Sequence, residues 1–185
     1  CEHRDLTFFR IAMNGGVLKS NAISESLLVP DVAKLALIER GHFIAILKNV
    51  RSLCSHERLE ELLREVEYAD WDAILINETW RGAVEEFDEL ESGRFWFGSG
   101  GTPGKHGVGV LLHKRWGCCK PVWNAVNERL ACLELSLDRW KPSFIVSYLP
   151  HCGYGDSAVE AVYDSIGELK AEARSRKREV YLAAD

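Results

Sequence analysis

No apolar run in this chain approaches the ~18 residues that a membrane-spanning helix needs. Its charged opening residues, Glu2 to Asp5, are not followed by the apolar core of a signal peptide. Basic residues are outnumbered, with 23 Lys and Arg against 28 Asp and Glu and a net charge of −5. That balance excludes a broadly cationic nucleic-acid binder, so contact with a polyanion has to rest on a local patch or a metal. None of the six cysteines (Cys1, Cys54, Cys118, Cys119, Cys132, Cys152) forms a C-x-x-C pair. Cys118 and Cys119 are adjacent, which suits neither zinc chelation nor an ordinary bridge. The pattern reads as free thiols in a reducing compartment, so the chain is expected to be intracellular, nuclear or cytoplasmic. Methionine occurs once, at Met13, and the chain stops at Asp185 directly after an apolar run. It therefore reads as a fragment of a longer frame.

What is present suits one domain with a real core: 185 residues, 46% hydrophobic and 10% aromatic. Residues 1–41 carry little pattern beyond the turn signal Asn14-Gly15-Gly16 and a short helix expected after Pro30 and closed by Gly41. They are set apart as a leader of unknown role. From His42 the pattern sharpens. HFIAILK (42–48) is apolar on both faces, as in a buried central strand. Ser55 is placed to cap a helix whose Leu59, Leu62, Leu63 and Val66 fall at helical spacing. Ala73 to Ile76 is a second buried strand. It runs straight into Asn77, Glu78, Thr79 and Trp80, so a carboxylate stands at its carboxyl end.

Arg81 to Ser92 is acidic and reads as helix or loop. Arg94 to Phe97 is an aromatic strand, and Gly98 to Gly107 is a glycine-rich connection. That connection lacks the Lys-Ser/Thr ending of a phosphate-binding P-loop and leads into strand, not helix, so it reads as a hairpin. Leu130 to Leu137 alternates as a half-buried strand, and SFIVSY (143–148) follows it. Ser157 and Glu160 form a capping box for a helix with Val159, Val162, Ile166, Leu169 and Ala173 on its buried stripe. The cluster Arg174 to Arg178 reads as a solvated helix end, with phosphate binding or a nuclear signal as alternatives. EVYLAA (179–184) is a last buried strand, delivering Asp185.

Four apolar strands thus end in groups of oxygen-donor or phosphate-contacting type: Asn49, Glu78, Tyr148 with His151, and Asp185. Ligands gather at the carboxyl ends of strands in open α/β sheets. Carboxylates with neutral oxygens there suit a hard cation such as Mg²⁺, whose reaction class is metal-assisted phosphoester hydrolysis.

In order, IAILKNVRSL, AILINETW, GVGVLL, NERLACLEL, IVSYLPH and VYLAAD resemble the endonuclease/exonuclease/phosphatase superfamily. Within it they look most like the apurinic-type endonuclease domain of non-LTR retrotransposons. The resemblance spans about residues 43–185, and N-V-R-S-L with E-T-W is its most specific part. It implies an α/β fold, a four-layer α-β-β-α sandwich with mixed, largely antiparallel sheets, here incomplete, with residues 42–185 as the N-terminal portion of the domain. It implies Mg²⁺, or Mn²⁺ in its place, held by Glu78 and Asn49. Tyr148, Asp185 and His151 are its catalytic residues, and Arg129 and Arg51 contact phosphate or DNA. The implied activity is DNA nicking, with a reverse transcriptase in the same parent polypeptide. Lys48, Ala183 and Ala184 depart from the usual pattern. The asparagine of D-x-N and the later S-D-x-x-H element are absent, so the chain is expected to be weakly active or inactive. A non-catalytic binding module of the same fold, and a phosphatase or phosphodiesterase acting on a small phosphoester, are the alternatives.

Overall fold

The computed structural model describes residues 7–13, 37, 40–150 and 153–185. Among these, ten strands form two sheets. The larger sheet has the order β1 (Thr7–Ala12), β2 (His42–Asn49), β3 (Ala73–Asn77), β6 (Val108–Leu112), β5 (Phe95–Ser99), β4 (Glu86–Glu89). The smaller has the order β10 (Glu179–Ala184), β9 (Pro142–Ser147), β8 (Leu130–Glu134), β7 (Val122–Asn127). β2 and β3 are parallel, with helix α1 (His56–Glu65) between them in the chain. β9 and β10 are parallel, with helix α2 (Asp156–Ser175) between them. Every other pairing of these strands is antiparallel, so both sheets are mixed.

Side-chain alternation turns the two sheets into four layers. Phe43 and Ala45 of β2 and Ala73 and Leu75 of β3 face inward and meet Ala131, Leu133, Phe144 and Val146 of the other sheet. The Phe43 and Phe144 rings stack across this layer at 4.9 Å. Ile46, Ile74 and Ile76 face outward onto Leu59, Leu62 and Leu63 of α1. Cys132 and Ile145 face the opposite way, onto Ile166 of α2. The result is the α-β-β-α sandwich.

Several elements depart from the sequence reading. The acidic stretch after Arg81 contains the edge strand β4, because Phe87 packs on the Phe95 and Phe97 rings of β5. β8 is buried on both faces, because α2 covers the side that alternation left polar. The capping box does not form: Gly155 is the N-cap of α2, without a side-chain cap, and Ser157 lies inside the first turn. Ser55 sits at the N-cap of α1 but makes no capping hydrogen bond. Part of the leader, Thr7–Ala12, is strand β1 on the edge of the larger sheet. The helix expected after Pro30 falls mostly outside the described residues, though Leu37 is buried and Gly41 has φ 69°. The basic cluster is divided: Arg174 and Lys177 are exposed, as in a solvated helix end, while two of its arginines turn to the sheet. Arg176 and Arg178 both pair with the buried Glu134, and Arg178 also donates to the Leu135 carbonyl.

At the end of the sandwich where β2 and β3 begin, Asp72 is fully buried. Its carboxylate accepts from the Ile44 backbone N–H and the Trp116 indole N–H, both at 2.8 Å, and Arg115 lies 3.4 Å away. Removing one partner of such a buried charge leaves the others unsatisfied. Asp72→Ala is expected to cost about 3–5 kcal/mol in urea unfolding, and Asp72→Asn less, since it keeps an acceptor. His113 nearby is held down to about 4, first by burial and then by Arg115, Arg94, Lys114 and Arg40. Its Nδ1 accepts from the Arg115 backbone and Nε, which only the neutral ring can do. The unfolded chain therefore takes up this proton first. Stability from this group is complete above pH 6.5 and is lost as pH falls from 6.5 towards 4. Urea midpoints across that window should fall in the wild type, with a shallower slope in His113→Gln.

Candidate active site

The inward faces of β2, β9 and β10 all end at the same mouth. Counting in twos from Phe43 and Ala45 reaches Asn49, and from Phe144 and Val146 reaches Tyr148. From Ala183 the count reaches Asp185. Glu78 breaks the count. A continued β3 would send it outward, with Ile74 and Ile76, towards α1. Instead the backbone turns left-handed at Glu78, with φ 59°, and the carboxylate comes round to the inner side. Such a conformation costs of order 1 kcal/mol or more for a non-glycine residue and persists only where neighbours hold it. Here they do. Ser52 and Leu53 donate to the carbonyls of Glu78 and Thr79 at 2.9 and 2.8 Å, and Val50 to that of Asn77 at 3.1 Å. Thr79 and Trp80 donate to the carbonyls of Gly107 and His106. Gly107 has φ 87°, and a Cβ there would lie 2.1 Å from Thr79 Oγ1, so no other residue fits.

One nitrogen joins the carboxylates. Asn49 Nδ2 donates to Glu78 Oε1 and to Asp185 Oδ2, each at 2.7 Å. The amide oxygen faces away, accepting from the Arg51 N–H at 3.2 Å. Asn49 thus presents a donor, not an oxygen, to the two acids. The Tyr148 hydroxyl hydrogen-bonds Glu78. Burial, then the charge and hydrogen bond of Glu78, raise it above its ordinary value. Tyr148 is therefore a neutral donor at physiological pH. Arg129 is buried and lies over the Tyr148 ring at 5.2 Å, with Nη1 donating to the Tyr148 carbonyl.

Four of the expected residues, Asn49, Glu78, Tyr148 and Asp185, are brought into one hydrogen-bonded group, with Arg129 stacked on its tyrosine. Arg51 is exposed, and its backbone N–H bonds the Asn49 amide oxygen. His151 lies outside the described residues. Lys48 is buried on the outer face, paired with Glu65 of α1 at 2.8 Å, and so turned away from the site. Ala183 fills the inner core.

The chain is similar to the endonuclease domain of TRAS1, a telomere-specific non-LTR retrotransposon, with a TM-score of 0.46 and 10% sequence identity. The match covers 76% of this chain and 57% of that one. No family model and no curated protein matches the sequence.

The donor set is of one kind. Among the described residues no three His, Cys, Asp or Glu side chains converge as a metal cluster. The two carboxylates that share Asn49 suit a hard, oxygen-seeking cation completed by water and substrate oxygens. Nearby in the chain, Asn77 and Thr79 are buried with side-chain polar atoms unpaired. Sequence reasoning missed a second group beside the first: His106, Glu128 and Tyr154, linked to Arg129. Glu128 and Arg129 precede a legible strand, but His106 sits in a connection read only as a hairpin.

The contact between Tyr148 and Glu78 gives a direct test. In Glu78→Gln the charge that opposes tyrosinate is gone, so Tyr148 should ionise at lower pH, closer to 10, while burial keeps it from falling all the way. Absorbance titration against a Tyr148→Phe control reads the shift.

Proposed function

We propose that this chain carries the hydrolytic site of a metal-dependent endonuclease that nicks DNA, of the kind its motifs resemble. The observation that supports this reading best is the pair of carboxylates from two different sheets, Glu78 and Asp185, held on one Asn49 nitrogen beside a neutral tyrosine. Glu78 would hold Mg²⁺, or Mn²⁺ in its place, and Asn49 aims that carboxylate. When bound, the cation supplies positive charge against the phosphoryl oxygens.

The chain's own groups divide the remaining work by their chemistry. Asp185 is exposed and acceptor-only when ionised, so it can orient a water and take its proton. Tyr148 keeps its proton and can donate to an oxygen that gains charge as the phosphorus becomes five-coordinate. Arg129 brings a buried positive charge to the same side, for a phosphate oxygen. With a net charge of −5, attraction for the polyanion has to come from local groups such as Arg129 and the cation.

Supercoiled-plasmid nicking in Mg²⁺ tests the reading, with each variant compared to the wild-type chain. Nicking by this chain is expected to be weak at most; Glu78→Ala should abolish whatever Mg²⁺-dependent nicking is seen, and it should also remove Mn²⁺ binding measured by paramagnetic relaxation of water. Nicking that survives both Glu78→Ala and chelation of divalent ions would sink the proposal.

A further inference from the structure

Cys118 and Cys119 are neighbours in sequence and touch through their sulfurs, and the proposed reaction uses neither. They close the 3-10 turn Lys114–Cys119 that joins β6 to β7. Neither is in a disulfide, and their Sγ atoms lie 3.9 Å apart. Successive side chains of a strand point to opposite faces; the tight turn brings this pair to one side. The Cys118 thiol also donates to the Arg115 carbonyl at 3.5 Å. Burial divides the two. Cys119 is 2% exposed and belongs to the core between the sheets, while Cys118 is half-buried at the edge of that core.

The turn that carries them is tightly held. Trp116 is fully buried, its indole donates to Asp72 at 2.8 Å, and its ring packs on those of Phe43 and Trp140. Gly117 lies against the Phe95 ring, where a Cβ would come within 2.8 Å of the ring carbons. Lys120, next after the pair, is left-handed with φ 47°. A bond between adjacent cysteines asks this frame to give. Cα atoms joined by a trans peptide are about 3.8 Å apart, whereas disulfides prefer at least about 4.4 Å. Drawing the sulfurs together from contact therefore twists the peptide between them and pulls on Trp116 and Lys120 to either side. Strain of this kind makes a disulfide easy to reduce, so the pair suits a reversible bond and not a permanent staple.

We propose that Cys118 and Cys119 form a reversible redox site, oxidised to a vicinal disulfide by exchange with a small disulfide such as oxidised glutathione. Cys118 is the attacking thiol, because it is the one that solvent reaches. Its thiolate attacks one sulfur of the oxidant, one glutathione leaves as thiolate, and a mixed disulfide stands on Cys118. Cys119 then loses its proton and attacks Cys118 Sγ, which it already touches, and the second glutathione leaves. The balance closes: two S–H bonds of the protein and one S–S bond of the oxidant break, and one S–S bond and two S–H bonds form. The protein sulfurs give up two electrons and glutathione takes them. The site stands on the turn beside Asp72, at the end of the sandwich away from the carboxylates, and does not depend on the endonuclease reading.

The test is equilibration of the folded chain in glutathione buffers of rising oxidised fraction. Acid quench, alkylation of the denatured chain with N-ethylmaleimide and tryptic mass mapping follow. Trypsin releases Trp116–Arg129 as one peptide, because Lys120 precedes Pro121, and it holds Cys118 and Cys119 and no other cysteine. The expected result is that this peptide loses two hydrogens and takes no label, while the buried Cys132 stays a thiol. Excess reduced glutathione should restore both thiols. A doubly labelled peptide at every ratio, a glutathione adduct that persists on wild-type Cys118, or pairing with another cysteine would each overturn the proposal. Cys119→Ser should trap the adduct on Cys118. Cys118→Ser, at the half-buried position, should leave Cys119 unmodified in the folded chain, and an adduct there would overturn the order of attack. Urea unfolding reads the strain: the oxidised chain should unfold at a lower midpoint than the reduced chain, and equal midpoints would overturn the claim that the turn gives way.

Discussion

Asn49 Nδ2 is bonded at once to a carboxylate of the larger sheet and to one of the smaller, each at 2.7 Å. The mouth of the sandwich depends on this nitrogen. Two ionised acids brought together without it would repel and splay the sheet ends apart. With it, Glu78 and Asp185 share a donor and hold the mouth of the sandwich at one width. The aromatic layer beneath, where Phe43 meets Phe144 and Trp116 within 5 Å, sets the spacing that lets a side chain as short as asparagine reach across.

Strain is concentrated around the same mouth. Arg51, Ser52, Glu78, Trp80 and His106 all have positive φ. Each would be unfavourable alone; Ser52, Glu78, Trp80 and His106 are held by backbone hydrogen bonds to a neighbouring loop, and Arg51 by the Asn49 side chain. The loops after β2 and β3 and the connection between β5 and β6 therefore form one stitched rim. A site built this way is pre-organised, because the side chains it presents do not have to be gathered when a ligand arrives. The opposite end is built differently, from buried charges such as Asp72 that satisfy the strand starts.

Much of this was legible in the residues. Apolar runs on both faces marked β2, β3 and β10 as buried strands, and the helical spacing of Leu59, Leu62 and Leu63 marked α1. The polar residue ending each strand gave away the mouth. What was not legible came from partners distant in sequence. β8 alternates as though half exposed, yet α2, more than twenty residues on, covers its polar side, and Glu134 there is met by Arg176 and Arg178. The same contacts draw two arginines of a basic cluster onto the sheet, while Arg174 and Lys177 stay exposed. β4 is acidic and unpromising, and it is a strand only because an aromatic neighbour accepts Phe87.

The sequence by itself determined which residue types stand at the strand ends and, through alternation, which face Asn49, Tyr148 and Asp185 occupy, because a period of two is a local property of extended chain. Tertiary structure decided that Glu78 joins them. Its parity points the wrong way, and only a left-handed turn held by Ser52 and Leu53 reverses it. It also decided that His106, Glu128 and Arg129 form a linked group, since the bonds joining the first to the others span more than twenty residues and depend on two loops arriving at the same place. Local pattern sets which way a side chain faces within its own strand; long-range packing sets what it meets there.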